Sequence, residues 1–344
     1  MRTKPVALVA TLAAAVLTLS ACGTATPSPS AAGNSLLSVA HMVNSPLGDQ
    51  SFFDDAQTGI DRLQAQGHKT LTVQSETNNP TQWKANTEQL SGKWDVVVVG
   101  TSQLVDILGE VAPKYPDQKY VIYDDVVKQP NVASITFKQN EGAFLAGALA
   151  ALVTTNPKEF PHAKGSKVIG LIAGMDVPVI EDFIVGYKAG AAAVDPSVQV
   201  KTAFVGDFAN SQKGHDLAKS MFADDNADVI FQVAAAAGVG VLQAAADANR
   251  YAIGVDSNQN ALHSGVVLAS MLKHIGNGIY TAVNAAQDGT LAWGTTTTYG
   301  LANDGVGLAF DGNGGIVPAD VQAKIADLSK QVVDGTLKVP TALS

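Results

Sequence analysis

The chain has 344 residues, a formal charge of −9, 46% hydrophobic and 15% charged residues. An acidic balance of this size repels phosphate backbones and argues against nucleic acid as a partner. Its single cysteine, Cys22, cannot form an internal disulfide, so neither a disulfide framework nor a redox or zinc role is expected.

At the start, Arg2 and Lys4 precede a short apolar core from Pro5 to Leu19, which closes on Leu19-Ser20-Ala21-Cys22. Positive, apolar and small-residue regions in that order form a secretory signal. The apolar run is too short for a useful membrane span. Residues 1–21 are therefore expected to be a signal peptide, with Cys22 the acylated first residue of the mature chain. Its removal takes away Arg2 and Lys4 and leaves a charge of −11. Gly23 to Ser35 is small, polar and proline-bearing, and reads as a flexible tether.

From residue 36 to 344 short β-rich runs alternate with amphipathic segments. Strands are expected at Leu36–Val43, Thr70–Gln74, Asp95–Val99, Lys119–Tyr123 and Val132–Phe137, and again at Lys167–Ala173, Val198–Phe204, Asp228–Val233, Arg250–Val255 and Val267–Met271. Several are continuous apolar runs, as parallel strands covered on both faces require. Helices are expected between them, among others at Asp54–Gln66, Asn140–Val153 and Val179–Ala193, with a last one at Pro318–Val333. This alternation specifies an α/β fold with doubly wound parallel sheets. The Pro-, Lys- and Gly-bearing loop Thr154–Gly165 divides the strands into two sets of about five. Two lobes result, one of about 36–140 plus a returning segment near 258–292, the other of about 141–257 plus the C-terminal part. Ligands bind such sheets at the carboxyl ends of the strands, so a cleft closed by hinge motion is expected.

Signatures of catalysis are thin. There is no nucleophile elbow, phosphate-binding P-loop or zinc-protease helix motif, and the six histidines are scattered. Gly238-Val239-Gly240 lacks the third glycine of a dinucleotide fingerprint, Gln243 standing in its place. Neither an enzyme nor a cofactor or metal site is expected. Polar and aromatic residues at strand ends remain. After the first strand come Asn44 and a turn in which Asp49 or Ser51 can cap a helix opening on Phe52 and Phe53, one ring packed inward and the other facing the cleft. Asp124 and Asp125 end the Lys119–Tyr123 strand and Asp256 follows Val255, where a carboxylate can accept two hydroxyl hydrogen bonds from a sugar. Phe231 lies inside a strand, where core packing is the default, and Lys273 follows an apolar strand.

At these residues the chain resembles the basic-membrane-protein family of bacterial lipoproteins, which includes the purine-nucleoside receptors of ABC transporters. The likeness runs from about Leu36 to Leu308 through GDQSFFD (Gly48–Asp54), NVASITFKQNEGAFLAGALAA (Asn131–Ala151), GLIAGMDVPVIEDFIVGYKAG (Gly170–Gly190), VGDFANSQKG (Val205–Gly214), DVIFQVAAAAGVGV (Asp228–Val241), YAIGVDSNQ (Tyr251–Gln259) and VLASMLK (Val267–Lys273). It implies a type I periplasmic-binding-protein fold with a purine between Phe52 and Phe231. It also implies ribose contacts from Asp256 and Lys273, the inter-lobe aspartate at Asp124 with Asp125 as a rival, and Gly238 at a turn against the ligand. Asp49 and Asn44 complete the expected set. Three positions depart from the family: Val43 replaces an aspartate that contacts the base, for which His41 or Asn44 could substitute; the turn before Gly238 is Ala-rich; and Phe53 replaces an asparagine. The implied protein is a monomeric, lipid-anchored receptor on the outer face of the cell membrane. It would deliver a nucleoside, purine favoured, to an ABC permease. A sugar or modified-nucleoside receptor, or a ligand sensor uncoupled from transport, remains open.

Overall fold

The computed structural model describes residues 35–343. The expected signal peptide, Cys22 and nearly all of the tether lie outside them. The first half alternates β1 (Ser38–Val43), α1 (Phe52–Ala65), β2 (Lys69–Gln74), α2 (Pro80–Leu90), β3 (Val96–Gly100), α3 (Val105–Val111), β4 (Lys119–Tyr123) and β5 (Val132–Phe137). The second repeats the pattern with α4 (Gln139–Thr155), β6 (Val168–Ala173), α5 (Pro178–Val194), β7 (Gln199–Phe204), α6 (Ser211–Ala223), β8 (Val229–Val233), α7 (Ala236–Asp247), β9 (Tyr251–Asp256) and β10 (Val267–Lys273). Then follow α8 (Ile275–Gln287), β11 (Thr296–Tyr299), β12 (Val306–Ala309) and α9 (Ala319–Val333).

The strands form two six-stranded sheets, ordered β11-β5-β4-β3-β1-β2 and β12-β10-β9-β8-β6-β7. All pairings are parallel except β10 with β12, which is antiparallel. Each sheet reverses its winding between its first and third strands in the chain, β1/β3 and β6/β8, and the loops at their carboxyl ends are the natural ligand-binding places. The central strands are buried on both faces, as the VVVV run Val96–Val99 requires.

The chain crosses between the lobes three times, from β5 to α4, from β10 to α8, and from β11 to β12. The return into the first lobe, expected near 258–292, comes later. Val267–Lys273 stays in the second sheet because it pairs with β9 on one side and β12 on the other. Only α8, packed on α1, and β11, beside β5, belong to the first lobe.

Local chemistry fixes the site-bearing ends. The Asp49 carboxylate accepts hydrogen bonds from the backbone N–H groups of Ser51 (3.1 Å), Phe53 (2.9 Å) and Asp54 (3.1 Å), satisfying the orphan donors that start α1. The buried Asp182 carboxylate on α5 accepts from Gln139 Nε2 at the first crossing (2.7 Å), and from Thr341 Oγ1 (2.6 Å) and the Ala342 N–H (2.8 Å) of the C-terminal segment. It thereby ties the crossing and the last residues to the N-terminal part of α5.

Helices α4 and α5 touch through glycines. A Cβ on Gly147 would lie 2.0 Å from the Tyr187 carbonyl oxygen, and one on Gly190 would lie 1.9 Å from that of Phe144. Both obstacles are backbone, so the helices would have to separate. Gly147→Ala is therefore expected to lower unfolding free energy by about 1–3 kcal/mol, read from urea denaturation. An unchanged midpoint would contradict this account of the contact.

Candidate ligand-binding site

One cavity gathers the carboxyl ends of strands from both sheets. From the first lobe it is lined by Asn44 after β1, Thr101 and Gln103 after β3, Asp124 after β4, and Phe52 and Phe53 of α1. The second lobe contributes Phe183 of α5, Phe208 after β7, Val233 and Ala235 around the end of β8, Asp256 of β9 and Lys273 of β10.

Its charged corner joins the lobes. Lys273 Nζ is ion-paired and hydrogen-bonded to Asp124 Oδ1 across the cleft, and the two side chains are 1% and 7% exposed. The same ammonium lies 5.7 Å, 5.4 Å and 5.3 Å from the ring centroids of Phe52, Phe137 and Phe183, close enough for cation–π attraction. Burial raises the Asp124 pKa, with Lys273 opposing the shift. Burial also drives Asp256 up to about 7, against the pull of Lys273 and of a hydrogen bond from Ser51. Ser51 Oγ lies 2.9 Å from Asp256 Oδ2 and 3.0 Å from the Val255 carbonyl, so its one proton serves two acceptors in the opposite lobe. Ser257 Oγ donates back to the Ser51 carbonyl (2.9 Å), and Gln259 Nε2 to that of Gln50 (3.0 Å).

Strained backbone concentrates here. Ten non-glycine residues among those described have positive φ, and five of them line the cavity: Asn78, Thr101, Asp124, Ala235 and Asp256. Thr101, at φ 81°, is β-branched and so an outlier in this region. Ala235 adopts φ 48° and ψ −127°, a conformation suited to glycine, with its Cβ narrowing the second lobe's side.

Of the residues singled out by sequence, Phe52, Asn44, Asp124, Asp256 and Lys273 are brought together around this cavity. Phe231 is not. It is fully buried in the middle of β8, with ring centroids 5.4 Å from Tyr187 and 6.3 Å from Phe183, because its side of the sheet is covered by α5. Gly238 lies within α7, where a Cβ would meet Gln232 Oε1 at 1.7 Å, so its role is close packing away from the cavity. Asp49 is the helix cap described above and does not line the cavity. Asp125 does not line it either, its Oδ1 accepting from the Val126 N–H (2.7 Å). Val43 is buried in the core, and His41 sits beneath the site with Nδ1 3.1 Å from Gln57 Oε1 and Nε2 3.1 Å from Tyr123 Oη. Burial lowers the His41 pKa to about 4.

Sequence reasoning missed Phe183, Phe208 and Gln103. Phe208 was within reach, since it stands four residues past the end of β7, where the strand-end rule places ligand contacts. Its ring lies against Gly174, where a Cβ would come within 2.2 Å of it.

The profile of the Bmp family, described as ABC transporter substrate-binding protein PnrA-like, matches residues 36–342. The chain belongs to this family. The Bmp-family relatives include the ABC transporter nucleoside-binding protein BmpA of Lactococcus lactis subsp. cremoris, 33% identical over 256 residues and covering 69% of each chain. Basic membrane protein A of Borreliella burgdorferi is 26% identical over 318 residues, covering 90% of this chain and 89% of its own. Among solved structures, an ABC transporter solute-binding protein from Aeropyrum pernix K1 superposes with a TM-score of 0.78 at 24% identity, over 88% of this chain and 94% of its own. That likeness shows the fold, the two-lobed type I periplasmic-binding-protein architecture. Bmp-family proteins are the substrate-binding components of ABC transporters and act outside the cytoplasmic membrane. No helix among the described residues is long and apolar enough to cross a membrane.

The raised Asp256 pKa makes stability depend on pH in this Bmp-family protein. With a folded pKa of about 7 against an ordinary carboxylate value of 3.8, the carboxyl's contribution is fully present below pH 4 and lost as pH rises through 7. Asp256→Asn keeps a neutral side chain throughout. Relative to it, the wild type should lose stability as pH rises from 4 to 7, by at most about 1.4 kcal/mol per pH unit, and then level off. Melting both proteins from pH 3.5 to 8.5 checks this, and a pH-independent difference would refute it.

Proposed function

We propose that this protein captures a nucleoside between its lobes and delivers it to an ABC permease. One observation carries the reading: the cavity is graded, with Asp124, Asp256 and Lys273 at the β4, β9 and β10 ends and flat or uncharged groups at the other strand ends. A ribose needs acceptors and a donor for its hydroxyls, which the charged corner offers at about 1.5–3 kcal/mol per charge-assisted hydrogen bond. A base needs flat apolar surface, which Phe52, Phe53, Phe183 and Phe208 offer, stacking adding about 0.5–1.5 kcal/mol per aromatic pair beyond burial. The Lactococcus lactis relative, named a nucleoside-binding protein, supports the same assignment.

We also propose that the mature chain is anchored by a lipid on Cys22 and acts as a monomer. The Leu19-Ser20-Ala21-Cys22 sequence after a short apolar core supports the anchor. Loss of labelling by a clickable fatty acid in Cys22→Ser tests it.

The ligand assignment is tested by calorimetric titration with nucleosides, free bases, ribose and common sugars. Nucleosides are expected to bind and ribose alone to bind far more weakly. Binding of a sugar without any nucleoside would replace the reading with that of a sugar receptor. Two phenylalanine variants separate site from core. Phe208→Ala should weaken nucleoside binding about 10-fold or more with little change in melting temperature. Phe231→Ala should instead cost about 3–5 kcal/mol of stability. The reverse pattern would return Phe231 to the site.

A further inference from the structure

We infer that the C-terminal residues 340–343 set how long the ligand stays bound: seated on Asp182, they fix the start of α5 and with it the Phe183 wall of the cavity. This rests on the nucleoside reading and adds a control acting on the same site. Val179, Ile180 and Phe183 of α5 line the cavity, the Phe183 ring centroid 5.3 Å from the Lys273 ammonium. Asp182, next to Phe183 in the chain, is 1% exposed and does not line it. Its Oδ1 accepts from Thr341 Oγ1 (2.6 Å) and the Ala342 N–H (2.8 Å), its Oδ2 from Gln139 Nε2 (2.7 Å). Asn140 Nδ2 donates to the Pro340 carbonyl (3.0 Å), and the Leu343 N–H to Thr341 Oγ1 (3.0 Å).

Apolar burial does not explain these contacts. Leu337 and Val339 are the last residues packed against the core, and Pro340, Thr341, Ala342 and Leu343 are exposed. The segment's contribution is polar: it supplies two of the three hydrogen bonds that a buried carboxylate receives. Such a group must keep its partners or turn to water, and mobile water solvates a carboxylate without fixing it. Gln139 depends on the same anchor, because its Oε1 is buried without a partner. It stands two residues past the end of β5, and the Lys138 N–H beside it donates to the Tyr299 carbonyl of β11 (2.7 Å). Two of the three crossings between the lobes thus meet beside the residue that Asp182 orients. Releasing the segment loosens one cavity wall and the pivot next to it. Encounter with the ligand is unaffected, and the loss falls on dissociation.

Two measurements on the full chain in detergent test this: release of radiolabelled inosine under chase, and hydrogen exchange at residues 180–184 without ligand. They compare wild type, a chain ending at Val339, Thr341→Val and Thr341→Ser. The shortened chain should release inosine about 5-fold or more faster, at an association rate within about twofold of wild type. Its amides at residues 180–184 should exchange faster while those of α6 keep their wild-type rates. Thr341→Val should move both readings the same way by less, and Thr341→Ser, which keeps the hydroxyl, should restore them. A purely structural role would lower the melting temperature alone. The inference is overturned if the shortened chain keeps wild-type release or wild-type exchange, or if Thr341→Ser behaves as Thr341→Val does. Should the shortened chain fail to fold, Thr341→Val decides, and wild-type rates in it refute the inference. Should wild type not bind inosine, the nucleoside reading itself fails, and the exchange measurement still decides whether the segment holds α5.

Discussion

The ammonium of Lys273 is drawn from the second lobe into the first and held there against Asp124 among three aromatic rings. Removing a lysine and a carboxylate from water is expensive, and their mutual attraction offsets the loss only where geometry is good and other polar groups are satisfied. The cleft is organised around meeting that condition. Phe52 sits at the head of α1 because Asp49 caps the helix, Phe183 stands beside the Asp182 anchor, and Asp124 directly follows a strand buried over all but its first residue. One positive charge also faces a second carboxylate, Asp256, whose charge is only partly offset. Burial accordingly keeps that group near its own midpoint at neutral pH. A neutral, hydroxyl-rich solute can donate to such a corner without bringing a counter-charge.

The second constraint is conformational. At the mouths of β3, β4, β8 and β9 the chain turns through positive φ at residues with a Cβ, at a cost of order 1–3 kcal/mol each. The turns swing Thr101, Asp124, Ala235 and Asp256 off the strand direction and into the space between the sheets. Regular strands carry the load of folding, and the strain that lines the cavity sits at their ends: Thr101 and Asp124 directly past β3 and β4, Ala235 two residues past β8, and Asp256 the last residue of β9. Rigid sheets on both sides are what allow these unfavourable turns to persist.

Much of this was legible in the amino-acid pattern. Apolar runs such as Val96–Val99 announce strands covered on both faces, and the break at Thr154–Gly165 separates two sets of them. Strand-end logic reached Asn44, Asp124, Asp256 and Lys273, because a polar residue directly after an apolar run has one plausible place to point. Phe231 was brought to the ligand by the resemblance alone, against the core packing that its place inside a buried strand already indicated. Strand-end logic passed over Phe208, which satisfied the same rule. Phe183 was harder, since it is reached from a helix start and is nearly buried. The elements left unread have weak signals for physical reasons: β11 is exposed Thr-Thr-Thr-Tyr on a sheet edge, and α8 carries glycines where it meets α1. The late return to the first lobe depends on a strand pairing with β12, which local periodicity does not contain.

That return bears on how the polypeptide reaches its final form. The sheet begun at Ser38 acquires its outer strand only when Thr296–Tyr299 docks beside β5, about 160 positions from its partner. Its neighbour likewise waits for Val306–Ala309 to cover β10. Pairings this distant are slow to form and cannot be completed while the tail is still emerging. Neither sheet is therefore complete until almost all of the chain is available. The order of the chain thus makes both lobes late to close, each waiting on a strand from near the C-terminal end.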